Sequence, residues 1–166
     1  MSPKPEFDAI EEARLNWSQQ WPEAALAMAT ATSIMRAQQI VLSAVDSVLR
    51  PLDLTFARYE ALMLLSFSRN GSMPLGKMGE RLMIHPTSVT SIIDRLSKDN
   101  LVQRKDHPVD RRTTLAEITP SGRELAQRAT IAVNDVAFGV GELSDPQMKQ
   151  LISVILELRH LAGDFD

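Results

Sequence analysis

The stretch from His85 to Arg112, HPTSVTSIIDRLSKDNLVQRKDHPVDRR, constrains this chain more than any other, because it joins a short amphipathic helix to a charged hairpin. From Pro86 to Lys98 the apolar residues Val89, Ile92, Ile93 and Leu96 recur at i, i+3, i+4 and i+7, the spacing that lines one face of a helix. Thr87, Ser88, Thr90, Ser91, Asp94, Arg95 and Lys98 occupy the other faces. Pro86 suits the first helical position, where its missing N–H costs nothing, and Asn100 can take the left-handed conformation that ends a helix. Beyond it, Leu101–Lys105 and Thr113–Ile118 are short β-prone runs separated by the polar, proline-containing loop from Asp106 to Arg112. This pattern predicts a hairpin with a basic tip.

A polar-faced helix followed by such a hairpin has the form of a winged helix, in which the helix fits the major groove and the wing reaches phosphates or the adjacent minor groove. The competing reading is a small α+β packing unit with a solvated loop. Upstream, Thr55 is placed to cap a helix that turns Tyr59, Leu62, Met63 and Leu65 inward until Asn70-Gly71 ends it. A short helix from about Leu75 to Met83 follows, with Leu75, Met78 and Leu82 on one side. Gly76 and Gly79 each weaken it by about 1 kcal/mol relative to alanine, so close approach of the next helix is the expected reason for them. Ile84-His85 is then the turn of a helix-turn-helix.

The flanks are helical too. Pro22 to about Leu49 carries the stripe Ala37, Val41, Ala44, Val45 and Val48, preceded by Trp17 and Trp21, for which core packing is expected ahead of anchoring that helix to another surface. Residues 1–20 contain prolines and acids and are expected to be loosely held or to lie on a neighbouring subunit. After the hairpin, Thr119-Pro120 begins a helix bearing Leu125, Ala129, Ala132, Val133 and Val136, and Gly139 and Gly141 interrupt it. Ser144 and Gln147 stand at capping-box spacing before a last stripe of Met148, Leu151, Ile155, Leu158 and Leu161. Long amphipathic helices at both ends need each other and a second copy to bury their faces, so a homodimer is expected.

At 166 residues the chain holds one domain with helical extensions, and its 44% apolar and 23% charged residues suit a globular protein. Its longest apolar run is Ala24 to Ala29, too short for a signal core or membrane span, so a cytoplasmic protein without membrane contact is expected. It has no cysteine, and its three histidines, His85, His107 and His160, lack ligand spacing, so no metal or cofactor is expected. Net charge is −3, but residues 55–112 hold ten basic and six acidic side chains between acidic flanks. A basic head on an acidic scaffold fits specific DNA binding with little non-specific attraction.

From about Trp21 to the C-terminus the chain resembles the MarR family of bacterial winged-helix transcriptional regulators. Leu54-Thr55 with Tyr59 and Leu62, Thr87-Ser88-Val89-Thr90 with Asp94-Arg95-Leu96, Leu101-Val102 with Asp110-Arg111-Arg112, and LAEITPSG from Leu115 to Gly122 carry the resemblance. It implies a mainly α fold with a small β-hairpin wing: a winged helix-turn-helix lobe (55–118), an N-terminal dimerisation helix (21–54) and C-terminal dimerisation helices (119–166). Leu151, Ile155 and Leu158 would line the dimer interface. Thr87, Ser88, Thr90, Ser91, Arg95 and Lys98 would face the major groove of double-stranded DNA at a pseudo-palindromic operator. Arg112, beside Arg111 and oriented by Asp110, would enter the minor groove. Ser91 stands where the family often has a basic residue, and Asn100 where it commonly has glycine. The resemblance further implies release from DNA when a small aromatic or phenolic acid binds, with Met28, Thr32, Arg36, Arg58, Tyr59 and Met63 lining the cleft. A repressor is therefore expected, the alternative being a winged-helix protein-interaction module that binds no DNA. Without a glycine-rich phosphate loop, a nucleophile with its base, or a metal cluster, an enzyme is not expected.

Overall fold

The computed structural model describes residues 7–110 and 112–165, mostly as helices, with one small three-stranded antiparallel sheet. The chain divides into two compact units between Ser43 and Ala44, a boundary that falls inside one long helix.

In the first unit, α1 (Ala9–Gln20) turns at Trp21 into α2 (Pro22–Leu49). The helix α1 lies where the sequence suggests a loosely held extension. Asp8 caps it, accepting the Ile10 and Glu11 N–H groups at 2.9 and 3.3 Å, and Glu11 and Glu12 in the first turn suit the positive end of the helix dipole. Ala25 and Ala29 are buried, whereas Trp17 and Trp21 are 39% and 54% exposed and pack on one another with ring centroids 5.1 Å apart. Core packing of the two tryptophans is thus not what the chain makes of them.

The second unit holds the apolar core. Val45 and Leu49 at the end of α2 join Tyr59, Ala61, Leu62 and Leu65 of α3 (Phe56–Phe67), where Thr55 caps the helix as expected. After Gly71, in the left-handed region at φ +66°, come β1 (Ser72–Pro74) and α4 (Leu75–Leu82), then α5 (Pro86–Lys98). Gly79 is buried, and a Cβ there would come within 3.2 Å of the Ile84 carbonyl and 3.4 Å of Val89, so this glycine does admit α5 closely; Gly76 faces open space and has no such reason. Val89, Ile93 and Leu96 are fully covered by the core and contribute about 1.5–3 kcal/mol each by leaving water.

The hairpin pairs β2 (Val102–Asp106) with β3 (Thr114–Ile118), in the register Val102 opposite Ile118 and Asp106 opposite Thr114. β1 adds on the far side of β3, so the order is β1-β3-β2, and this third strand is a feature the hairpin pattern does not contain. From Thr119, α6 (Pro120–Asp135) sets Ala126, Ala129 and Val133 into the core. Gly122 is required at its start, because a Cβ would collide with the Leu101 carbonyl. A one-turn 3-10 segment, Ala137–Gly139, with Ala137 and Phe138 at positive φ, leads to α7 (Asp145–Leu161). The expected capping box forms there: Gln147 Oε1 accepts the Ser144 N–H at 2.9 Å. No residue of α7 is buried.

Candidate nucleic-acid interface

The surface begins with how α5 is held. Its apolar side is locked into the core, so its opposite side must face outward: Thr87, Ser88, Thr90, Ser91, Arg95 and Lys98 are all exposed. At 3.6 residues per turn the six fall within a sector about 160° wide. The Thr90 hydroxyl donates to the Pro86 carbonyl at 3.2 Å, which spends its proton and leaves its lone pairs outward. Among the described residues, neither Arg95 nor Lys98 is in an ion pair, so both cations remain available. His85 caps the helix by accepting the Thr87 N–H on Nδ1 at 3.2 Å, a role not apparent in the sequence, where Ile84-His85 reads only as a turn.

The hairpin shares the apolar core with this helix, and an ion pair bridges the two at the surface. Arg104 on β2 meets Asp94 on the outer side of α5 at 2.6 Å, a half-exposed pair that links the hairpin to the helix. Across the sheet, Lys105 and Gln103 both reach Glu117, at 2.7 and 2.9 Å, and the Lys105 hydrogen bond holds that carboxyl below the usual range.

At the tip, Asp110 organises Arg112 through the main chain. One carboxylate oxygen accepts the Arg112 N–H at 3.0 Å and the other accepts the Thr113 hydroxyl at 2.7 Å. Those contacts, Thr113 first and Arg112 second, depress the Asp110 carboxyl below the usual aspartate value. The network is therefore intact above the ordinary range and is lost only as pH falls through the lowered value. Arg112 is exposed and, among the described residues, lies in no ion pair. Arg111 lies outside the described residues.

The six residues expected to line an effector cleft divide between the units. In the first, Thr32 donates to the Met28 carbonyl at 2.8 Å and Arg36 to Gln39 at 3.0 Å, and Thr32 and Arg36 border a 450 Å³ cavity with Phe7, Ile10 and Met35. In the second, Tyr59 is core, its hydroxyl 3.2 Å from that of Thr130. Met63 lines a mostly apolar 300 Å³ cavity between α3 and α6, with Ser66, Arg123, Ala126, Gln127, Thr130 and Ile131. Arg58 borders a separate 250 Å³ pocket, donates to the Asp53 carbonyl and lies 3.5 Å from Asp99, just past the end of α5. Leu151, Ile155 and Leu158 are 46%, 36% and 52% exposed on α7.

Two helices joined by a tight turn, the second presenting a polar face and followed by a hairpin clamped to it, define a winged helix-turn-helix protein. Residues 54–114 match the MarR family. The HTH-type transcriptional regulator YhbI of Bacillus subtilis is 33% identical over 134 residues, covering 81% of this chain and 80% of that protein. The MarR family regulator Sco5413 of Streptomyces coelicolor is 49% identical over 84% of this chain and 97% of that one, with a TM-score of 0.78. Sco3205 of the same organism, solved in complex with DNA, shares the fold at 23% identity and a TM-score of 0.70 over 98% of this chain and 92% of its own. The chain belongs to the MarR family of transcriptional regulators.

Proposed function

We propose that this protein is a homodimeric repressor that binds a pseudo-palindromic duplex operator through α5 and the wing. The observation that carries the reading is the outward face of α5, hydroxyls and exposed cations over a buried apolar side, bridged to the wing by Arg104 and Asp94. Such a face offers donors and acceptors to base edges, while Arg112 supplies charge to the adjacent minor groove. That Sco3205, of the same fold, was solved with DNA supports it. The bare apolar surface of α7 supports the second copy, since a helix apolar on most sides is stable in water only when covered. A dimer seated on an inverted repeat occludes a promoter, which is the basis for repression. A gel shift of the purified protein on the DNA upstream of its own gene, with a scrambled duplex as control, should show retention of the first alone. Equal retention of both, or of neither, contradicts the reading.

The effector belongs to the same proposal. The cavity beside Met63 sets apolar walls next to Arg123, a combination suited to an aromatic carboxylate. Calorimetry with a panel of aromatic and phenolic acids should find one that binds and weakens the DNA complex, the two effects being reciprocal. A panel without a single binder removes this part of the proposal.

A further inference from the structure

Two of the three histidines precede a proline, at His85-Pro86 and His107-Pro108, and both lie in the elements that face DNA. Each ring is used in the same way. Nδ1 of His85 accepts the N–H two residues on, and Nδ1 of His107 accepts the N–H groups of Val109 at 3.3 Å and Asp110 at 3.1 Å. A backbone N–H can only donate, so Nδ1 of His107 is the accepting atom in both contacts. His107 is half-buried, while Pro108, Val109, Asp110 and Arg112 around it are exposed. Its own N–H donates to the Thr113 carbonyl at 3.1 Å, and the Thr113 N–H returns to the Asp110 carbonyl at 3.0 Å.

We propose that His107 is the positioning residue of the wing, fixing the Asp110 backbone from which the Asp110 carboxylate holds Arg112 toward DNA. The proposal rests on the DNA-binding reading above and adds a residue to it. The logic is that of an Asx turn, in which a side-chain oxygen attached to Cγ accepts the N–H two residues later. Histidine Nδ1 and asparagine Oδ1 are both bonded to Cγ, so asparagine can reproduce the contact. Glutamine cannot, because its polar atoms lie one bond further out, where they replace Nε2 instead. The wing thus stacks two such turns, His107 setting Asp110 and Asp110 setting Arg112.

The test uses the full-length protein and a duplex that the wild type selects from a random pool, with binding read by anisotropy and folding by melting temperature. Loss of the one acceptor that serves two N–H groups in the wing should make His107→Ala roughly tenfold weaker with unchanged melting. His107→Asn should restore most of the affinity and His107→Gln little. In an Arg112→Ala background, His107→Ala should weaken binding by less than about twofold further, since a residue acting through another is not additive with it. Restoration by glutamine and not asparagine would mean that the ring touches DNA through Nε2 and would overturn the proposal. So would full additivity with Arg112→Ala, or wild-type binding by His107→Ala. If Arg112→Ala alone binds like wild type, it is the wing reading that fails, and if no duplex is selected, the DNA-binding reading fails.

Discussion

The lobe from α3 to β3 and the terminal helix α7 have similarly apolar patterns and opposite fates. In the lobe, Leu62, Leu65, Met78, Ile93 and Leu96 have no exposed surface, whereas on α7 Leu151, Ile152, Val154, Leu156 and Leu158 each keep 46% or more. Periodicity alone does not separate them, since both carry stripes at helical spacing. Neighbours within reach of the same chain make the difference: the stripe of α5 meets α3, α4 and β2, and that of α7 has no covering element among the described residues. The stripe of the lobe is therefore covered by its own chain, α2 and α6 included, while that of α7 is left for a covering partner, in the proposed dimer a second copy.

The largest expected effect breaks the comparison at α7. Replacing Leu151 and Ile155 together with aspartate places two charges in the proposed interface and should give monomer or aggregate in sedimentation. A well-folded dimer after that change would mean that α7 is not the interface. Next, Leu96→Ala in the lobe should cost about 2–5 kcal/mol by denaturant unfolding, the range for emptying a fully buried leucine site. The destabilisation of the lobe should be the same at every protein concentration, whereas truncations in α7 should act more strongly on dilution. A concentration-dependent Leu96→Ala would erase the distinction. A smaller effect belongs to the wing: Arg112→Ala should weaken operator binding and flatten the dependence of log K on log salt by about one unit per wing. Unchanged affinity at every salt would remove the wing from the interface. Least of all, Arg104→Ala breaks a half-exposed pair and should change unfolding stability by about 0–1 kcal/mol. A larger loss would show that charge, and not the apolar core, holds α5 to the sheet.

The boundaries of α5, Pro86 and Lys98, can be read from the sequence because stripe, N-terminal proline and Asn100 agree; Asn100 does take φ +57°. The same agreement of cap and stripe defines α3, α6 and α7. β1 escapes such reading, since three residues ending in proline have no alternation to detect, and the strand exists only because β3 offers an edge. The helix α1 was obscured by prolines and acids that read as a loosely held extension, although Asp8 caps the helix and Glu11 and Glu12 sit where its dipole favours them. The exposed side of α5 was legible as what remains once the stripe is buried. The acceptor roles of His85 and His107 were not, because a contact between a ring nitrogen and a backbone N–H depends on rotamer and turn geometry; the only visible signal was the proline after each. The proposed effector residues were the least legible: α3 turns Tyr59 into the core while Arg58 and Met63 border different cavities.

The central claim is that the outer face of α5 reads bases in duplex DNA, and selection from a random duplex pool with wild type and Arg95→Ala tests it most directly. The wild type should recover an inverted repeat with half-site centres about one helical turn apart, roughly 10 base pairs. Arg95→Ala should recover the same repeat with preference lost at one symmetric pair of positions, at a cost of about 1–3 kcal/mol for each guanine contact removed. A wild-type pool without a repeat, or an Arg95→Ala pool identical to that of the wild type, would contradict the assignment of this face.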